Sequence, residues 1–356
     1  MRRLPQRSSL VAQTADILRE EIRSGAWARW LPGEIELCAR LQVSRVTLRA
    51  ALAQLQRERL IRASQGRRRE ILHPSARVPR RASSREVFFF LPHSLSAIPR
   101  FVLFLIDNLR DRLNQEGYRL ETLTYPAAYT ARPNGTLQNL TARHQSAGWI
   151  LYQSTPTMQR WFSAHNLPAV ICGSRHGGVE LPAMDLDYYA LCRHAAGRFL
   201  AKGHCHLALI NSRPILAGDR ESERGFHDGV GHHPNARVTV CHHDGTRESV
   251  CAELDRLLAI PNHPTALLVS HSHHVLTVLG HLARRGVRVP QDIALISRDD
   301  DLVLQHVVPT VARYSVEPSL FARKLGRLVM EVVRSGVIHP RDHRLLPRFL
   351  PGETLG

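Results

Sequence analysis

Lysine is almost missing from this chain: of 48 basic side chains, only Lys202 and Lys324 are not arginine. That scarcity bears on covalent chemistry, because an enzyme built around pyridoxal phosphate needs a Schiff-base lysine. Lys202 closes a predicted helix and Lys324 sits on a late amphipathic one, and neither position suits the task. Long apolar runs are missing too. No segment reaches the roughly 18 uninterrupted apolar residues of a membrane span, so no membrane partner is expected. Asp16, Arg19 and Glu20 break any signal-peptide core near the start, which makes the cytoplasm the expected location. The six cysteines (Cys38, Cys172, Cys192, Cys205, Cys241 and Cys251) form no CxxC pair, so reduced thiols are expected. There is no GxSxG elbow, no GxxxxGK loop and no HExxH helix. The expectation is a non-enzyme with no catalytic residue, no cofactor and no dedicated metal.

What the chain does hold is arginine, unevenly spread. The formal net charge is +17, and the first 85 residues contain 19 arginines against 7 acidic residues. Charge concentrated at one end argues for a polyanion-binding head on a less charged body. A length of 356 residues leaves room for two or three domains.

Residues 31–70 are the most informative stretch: LPGEIELCARLQVSRVTLRAALAQLQRERLIRASQGRRRE. A short helix is expected from Glu34 to Leu41, with Ile35, Leu37, Cys38 and Leu41 at roughly helical spacing. Gly33 is its expected N-cap and Glu36 the capping-box acceptor. After a turn at Gln42-Val43, Ser44 caps a second helix whose inward stripe is Leu48, Ala51, Leu52 and Leu55. Arg45 and Arg49 lie one turn apart beside that stripe and can face a nucleic acid together. A basic hairpin follows, with Gln65-Gly66 at its tip and Arg67, Arg68 and Arg69 behind. Gly66 suits a positive φ or a close approach to DNA.

Over residues 8–72 this segment closely resembles the DNA-binding domain of the GntR family of bacterial transcription regulators. The resemblance rests on a leading helix with Val11, Ala15, Leu18 and Ile22 on one face, the LPGE entry, VSRVTLRAAL and the LIRASQGR wing. It implies a winged helix-turn-helix in which Arg45, Thr47, Arg49 and Gly66 approach DNA. Ser44, Gln65 and Arg67 complete the candidate interface. One departure is Ile35, where the family usually has a DNA-contacting arginine, so the operator sequence cannot be borrowed.

Residues 73–85, HPSARVPRRASSR, read as a linker, and from residue 86 strands and helices alternate. Val87–Leu91, Tyr118–Thr124, Trp149–Leu151, Ala169–Ile171, His206–Ile210, Val238–Val240, Ala266–Val269, Ile293–Ile296 and Val311–Val316 are the expected strands. Helices are expected at 100–116, 189–202, from 222, at 247–259 and at 273–285. Such alternation predicts parallel sheets in two Rossmann-like lobes, with ligands bound at the strands' carboxyl ends in the cleft between them.

The phrases LPAVICGS, ERGFHDGV and GVRVPQDIALISRDD, in that order, resemble the effector-binding domain of the LacI family, itself similar to periplasmic sugar-binding proteins. The resemblance spans about 86–350 and assigns residues 86–356 to effector binding and dimerisation. It implies ligand contacts from His93, Ser94, Ser154 and Asp299. A carboxylate such as Asp299 accepts two hydroxyl hydrogen bonds, which suits a sugar or another polyol. Two departures affect the pocket. His271-Ser272 stand where the family often has Asn-Asp, and Ser222 stands where it often has Arg, with Arg220 and Arg224 flanking. Arg220, Arg224 and His271 therefore join the candidate ligand residues.

Twenty-one histidines include His242-His243 and His271-Ser272-His273-His274. Local pairs do not define a closed metal site, although a metal-responsive regulator stays open as an alternative. The expected function is a ligand-responsive repressor with double-stranded operator DNA and a small, sugar-like effector as partners, acting as a homodimer. A transport-type binding protein is the other alternative.

Overall fold

The computed structural model describes residues 10–23, 27, 30–58, 60–62, 69–71, 84–213, 216–231, 233–336, 338 and 340–356. The chain divides into two compact units, Met1–Ala82 with Glu331–Val337, and Ser83–Met330 with Ile338–Gly356.

In the first unit, helices α1 (Leu10–Arg23), α2 (Glu34–Leu41) and α3 (Arg45–Arg57) precede an antiparallel pair, β1 (Ile61–Arg62) and β2 (Glu70–Ile71). The stripe Leu48, Ala51, Leu52 and Leu55 is buried against Ala15, Leu18 and Ile22 of α1, Leu37 of α2, and Ile61 and Ile71 of the ribbon. Gly33 is the α2 N-cap, and no side-chain capping bond forms there. Gln42 takes a left-handed conformation (φ 52°) that ends α2 and starts the turn. Ile35 departs from expectation, being 71% exposed. It lies two residues from the buried Leu37, and on a helix that places it on another face. Leu31 N donates to Arg69 O at 2.9 Å, which ties the entry to α2 to the base of the wing. The wing residues Gln65, Gly66 and Arg67 and most of the proposed linker lie outside the described residues.

The second unit holds two six-stranded sheets. The first comprises β3 (Glu86–Leu91), β4 (Arg119–Thr124), β5 (Gly148–Tyr152), β6 (Ala169–Cys172), β7 (Ala183–Leu186) and β13 (Asp342–Leu345), ordered β4-β3-β5-β6-β7-β13 and parallel throughout. Helices α4 (Arg100–Gln115), α5 (Asn134–Arg143) and α6 (Pro156–Ala164) connect its strands. The second comprises β8 (His206–Ser212), β9 (Arg237–His243), β10 (Ala266–Val269), β11 (Ala294–Ser297), β12 (Ala312–Ser315) and β14 (Arg348–Leu350), ordered β9-β8-β10-β11-β12-β14. Its helices are α7 (Tyr188–Ala201), α8 (Ala217–Val230), α9 (Arg247–Leu258) and α10 (Ser272–Arg284), and α11 (Pro318–Ser335) leads back toward β13. Only β14 runs antiparallel to its neighbour, so the expectation of parallel sheets holds except at that edge.

The physical reason for the central strands is legible. VFFFL in β3 and ALLV in β10 are apolar on both faces, as parallel strands covered by helices must be. Helix α8 begins at Ala217, five residues before the expected start, because the Asp219 carboxylate accepts from Leu216 N at 3.1 Å and closes the first turn. Its Gly225 and Gly229 lie against α7: a Cβ at Gly225 would stand 2.2 Å from Tyr189 O, and one at Gly229 would stand 2.8 Å from Arg193 O. That close crossing sets the position of Ser222 and Asp219 on the same helix.

Candidate DNA and effector sites

On the head, the Ser44 hydroxyl accepts from Thr47 N at 3.2 Å and pairs with the Thr47 hydroxyl at 2.9 Å. These two residues therefore build the start of α3. Arg49 Nε donates to Glu34 Oε2 at 2.9 Å, and Arg69 Nη2 donates to Glu34 Oε1 at 2.8 Å. The two guanidinium groups hold the Glu34 carboxyl below its ordinary range, Arg69 most strongly. One carboxylate thus joins the recognition helix to the wing. Arg19 pairs with Glu58 at 2.9 Å, Arg40 with Glu21 at 2.7 Å and Arg62 with Glu70 at 2.6 Å. Arg45 and Arg57, by contrast, have no carboxylate partner among the described residues. No acidic residue occurs in α3, so the positive end of its dipole and Arg45 are both presented to solvent.

In the body, the loops after β5, β6, β8, β10 and β11 meet at the carboxyl ends of both sheets. Arg298, just past β11, is 3% exposed. Its Nη1 donates to Ser222 Oγ at 2.9 Å and to Asp219 Oδ1 at 3.2 Å, and its Nε approaches Asp299 Oδ1 at 3.4 Å. The Tyr188 ring covers the guanidinium at 4.5 Å. Burial opposes the charge on Arg298, yet Asp299, Tyr188 and Asp219 keep it protonated. Burial likewise pushes the Asp299 carboxyl up, and Arg298 and His271 outweigh it, leaving Asp299 below its ordinary range. His271 Nδ1 stands 3.4 Å from Asp299 Oδ2, and its Nε2 pairs with Ser212 Oγ at 2.9 Å. From the first lobe, Asp185 accepts from Ser174 Oγ at 2.6 Å and from Leu186 N at 2.8 Å. Burial raises its pKa to about 6 against the opposing pull of Ser174, Leu186 and Arg298.

The expected ligand residues divide. Asp299 and His271 come together in this network. Ser154 is buried nearby in the first lobe's loops, where its hydroxyl accepts from Gln159 Nε2 at 3.0 Å, and the same Nε2 donates to Ser174 O at 3.1 Å. Arg220 bears on His176, which burial and then this arginine push down. Arg224 does not join: it pairs with Glu221 at 2.8 Å and lies over the Tyr189 ring at 4.8 Å. His93 and Ser94 are exposed beyond β3, with Ser94 Oγ bonded to Ser96 Oγ at 2.8 Å. Arg298, Asp219, Asp185 and Tyr188 were missed. Ser222 was the available signal, since it stands on α8 where an arginine is expected, and Arg298 brings a guanidinium to it from the end of β11.

Beside the network, four histidines cluster. His273 and His274 rings are 4.0 Å apart, His243 and His274 are 4.5 Å apart, and His271 and His273 are 5.5 Å apart. Gly245 N donates to His243 Nδ1 at 3.1 Å, while His243 Nε2 and His274 Nδ1 are buried without a hydrogen-bond partner. Burial, then neighbouring histidines, push His243 to about 4 and His274 to about 3. No three His, Cys, Asp or Glu residues among those described converge to hold a metal ion. An open depression of about 800 Å³, lined in part by Arg85, Arg119, Arg143 and His144, lies at the amino ends of β3 and β4, the opposite strand ends from this network.

Comparison with known proteins adds three findings. Residues 10–71 match the bacterial regulatory proteins of the gntR family, and residues 196–355 match the periplasmic binding protein-like domain. A probable HTH-type transcriptional repressor, ExuR of Bacillus subtilis (strain 168), is 28% identical over 148 residues, which are 39% of this chain and 44% of ExuR. The HTH-type transcriptional regulator CelR of Thermobifida fusca is 24% identical over 175 residues, 48% of this chain and 52% of CelR. The chain thus spans about half the length of the curated relatives it matches. Among solved structures, a CelR–cellobiose complex aligns with 98% of this chain and 100% of its own at TM-score 0.66 and 19% identity. A LacI-type transcriptional regulator of Bacillus cereus aligns with 76% of this chain and 98% of its own at TM-score 0.68 and 20% identity.

Proposed function

We propose that this chain, a gntR-type helix-turn-helix head joined to a periplasmic-binding-protein-like body, is a cytoplasmic transcription regulator. The head binds operator DNA, and a small polyol or sugar in the cleft between the body's lobes modulates that binding. The observation that carries the proposal is one molecule holding both an acid-free recognition helix with an exposed Arg45 and a network of the buried Arg298 with the half-buried Asp299 and His271 at the carboxyl ends of parallel strands. Strand ends of this kind are where open α/β sheets take ligands. The proposed domain limits are 1–72 for the head, 73–85 for the linker and 86–356 for the body. Arg45, Thr47 and Arg49, with Gln65, Gly66 and Arg67 of the wing, are the proposed DNA contacts, and Ser44 orders the helix start.

A homodimer is part of the proposal. Leu103 and Phe104 on α4 and Leu276 on α10 are large apolar side chains left exposed, as a covered subunit face would require. Two heads then occupy the half-sites of a pseudo-palindrome, and effector binding changes their joint affinity. No helix among the described residues is long and apolar enough to cross a membrane.

The test has two arms. Purified protein is used to select duplexes from a random library, and thermal shift screens neutral sugars, sugar acids and polyols, followed by calorimetry on whichever binds. Asp299→Asn is expected to weaken effector binding about tenfold, the effect of losing a charge-assisted hydrogen bond, and to leave operator affinity intact. Native effector affinity in that variant rejects Asp299 as a ligand residue. Failure to enrich any duplex rejects the regulator.

A further inference from the structure

Val46, the second residue of α3, is 80% exposed, more than any other large apolar side chain described in the head. It is not on the buried stripe. One turn further along the helix lie Arg49 and Ala50, and then Ala53, all exposed. The outward face of α3 is therefore a short apolar strip, Val46–Ala50–Ala53, bordered by Arg45, Arg49 and Arg57. The Ser44 and Thr47 hydroxyls, on either side of Val46 in sequence, are paired with each other at 2.9 Å.

A surface meant only for phosphates needs the arginines and gains nothing from a branched apolar side chain at its tip. Inside the major groove the situation differs. The amino end of a recognition helix meets base edges there, and the apolar group displayed on those edges is the C5-methyl of thymine. Small residues at positions 50 and 53 let the helix approach the groove floor behind Val46. We propose that Val46 packs on a thymine methyl in each operator half-site and so sets sequence preference at a base pair that the arginines leave unread. This inference rests on the DNA-binding function above and names a specificity determinant within it.

The experiment uses the full-length protein and the duplex selected from a random library. Each thymine of a half-site is replaced singly by deoxyuridine, which keeps the pairing and the O4 acceptor and removes only the methyl. One thymine per half-site is expected to weaken native binding about fourfold on replacement, the ratio that one buried methyl supplies. Val46→Ala is expected to bind thymine and deoxyuridine equally at that position and to keep the native melting temperature. Val46→Thr, retaining one methyl, keeps the discrimination. If the native protein ignores every thymine methyl, or if Val46→Ala discriminates as the native protein does, the inference is overturned while DNA binding stands. If no duplex is selected, the DNA-binding function falls and this inference with it, so the two failures are told apart.

Discussion

Arg298 shows how much a single residue can carry without being visible in the chain. It was inside the ISRDD phrase, yet its partners Asp219 and Ser222 arrive from a helix far away in sequence. Spacing alone cannot join them, because the contact exists only once folding brings the side chain past β11 to the first turns of α8. Asp299 was legible as a candidate because it lies just past a strand end, where open α/β sheets take ligands. Arg298→Met is expected to cost about 3 kcal/mol, because it leaves the buried Asp219 and the half-buried Asp299 without their cation. Urea unfolding of the native and variant proteins measures it. A loss below about 1 kcal/mol would mean that the carboxylates are solvated and that the guanidinium does not organise the cleft.

Among the elements, strands apolar on both faces were readable, as β3 and β10 show, and so was the recognition helix, whose stripe repeats over more than two turns. Helices α5 and α6 were not anticipated. NGTLQNLTAR and PTMQRWFSA are short and mix polar with apolar residues, so their helical period barely repeats. The α7–α8 crossing depends on two glycines that look like interruptions in the sequence. Gly225→Ala puts a methyl 2.2 Å from Tyr189 O and is expected to destabilise the body by about 3 kcal/mol or more, since backbone must move. Gly280→Ala on α10, with nothing within 4 Å, is expected to be neutral or to stabilise by up to about 1 kcal/mol. The pair of melting curves is the check, and equal effects would remove the close crossing as an explanation. The histidine cluster between β9 and α10 predicts a response to acid. Folding holds His243 near 4 and His274 near 3, below the ordinary value of about 6.5. Their contribution is therefore complete above about pH 6.5 and is lost as the pH falls toward those folded values. The body's melting temperature should drop over that window, and the drop should be shallower in His274→Gln. An unchanged slope in the variant would assign the acid response to other groups.

At the scale of the whole molecule, the division into a basic head and an α/β body was legible from charge asymmetry and from the change of periodicity near residue 86. The antiparallel edge strand β14 was not, because three residues leave no pattern to read. If the proposed homodimer forms through α4, Phe104→Glu on its exposed face is expected to convert dimers to monomers in sedimentation, and to lower operator affinity about a hundredfold as the two heads lose their linkage. A variant that remains dimeric would move the subunit contact elsewhere. The head's arginines have a further consequence. Arg19, Arg40, Arg62 and Arg69 each rest against a carboxylate of the head itself, Arg69 on the Glu34 that it shares with Arg49. A cation already balanced by its own chain adds little to the ions that association sets free. If all 19 arginines of the first 85 residues neutralised phosphates, log K would fall with log salt at a slope near roughly −17. With those pairs kept, the slope is moderately shallower, near roughly −13 to −14. On the proposed function, operator affinity would then fall less steeply with ionic strength than for a head of equal formal charge with all its cations free.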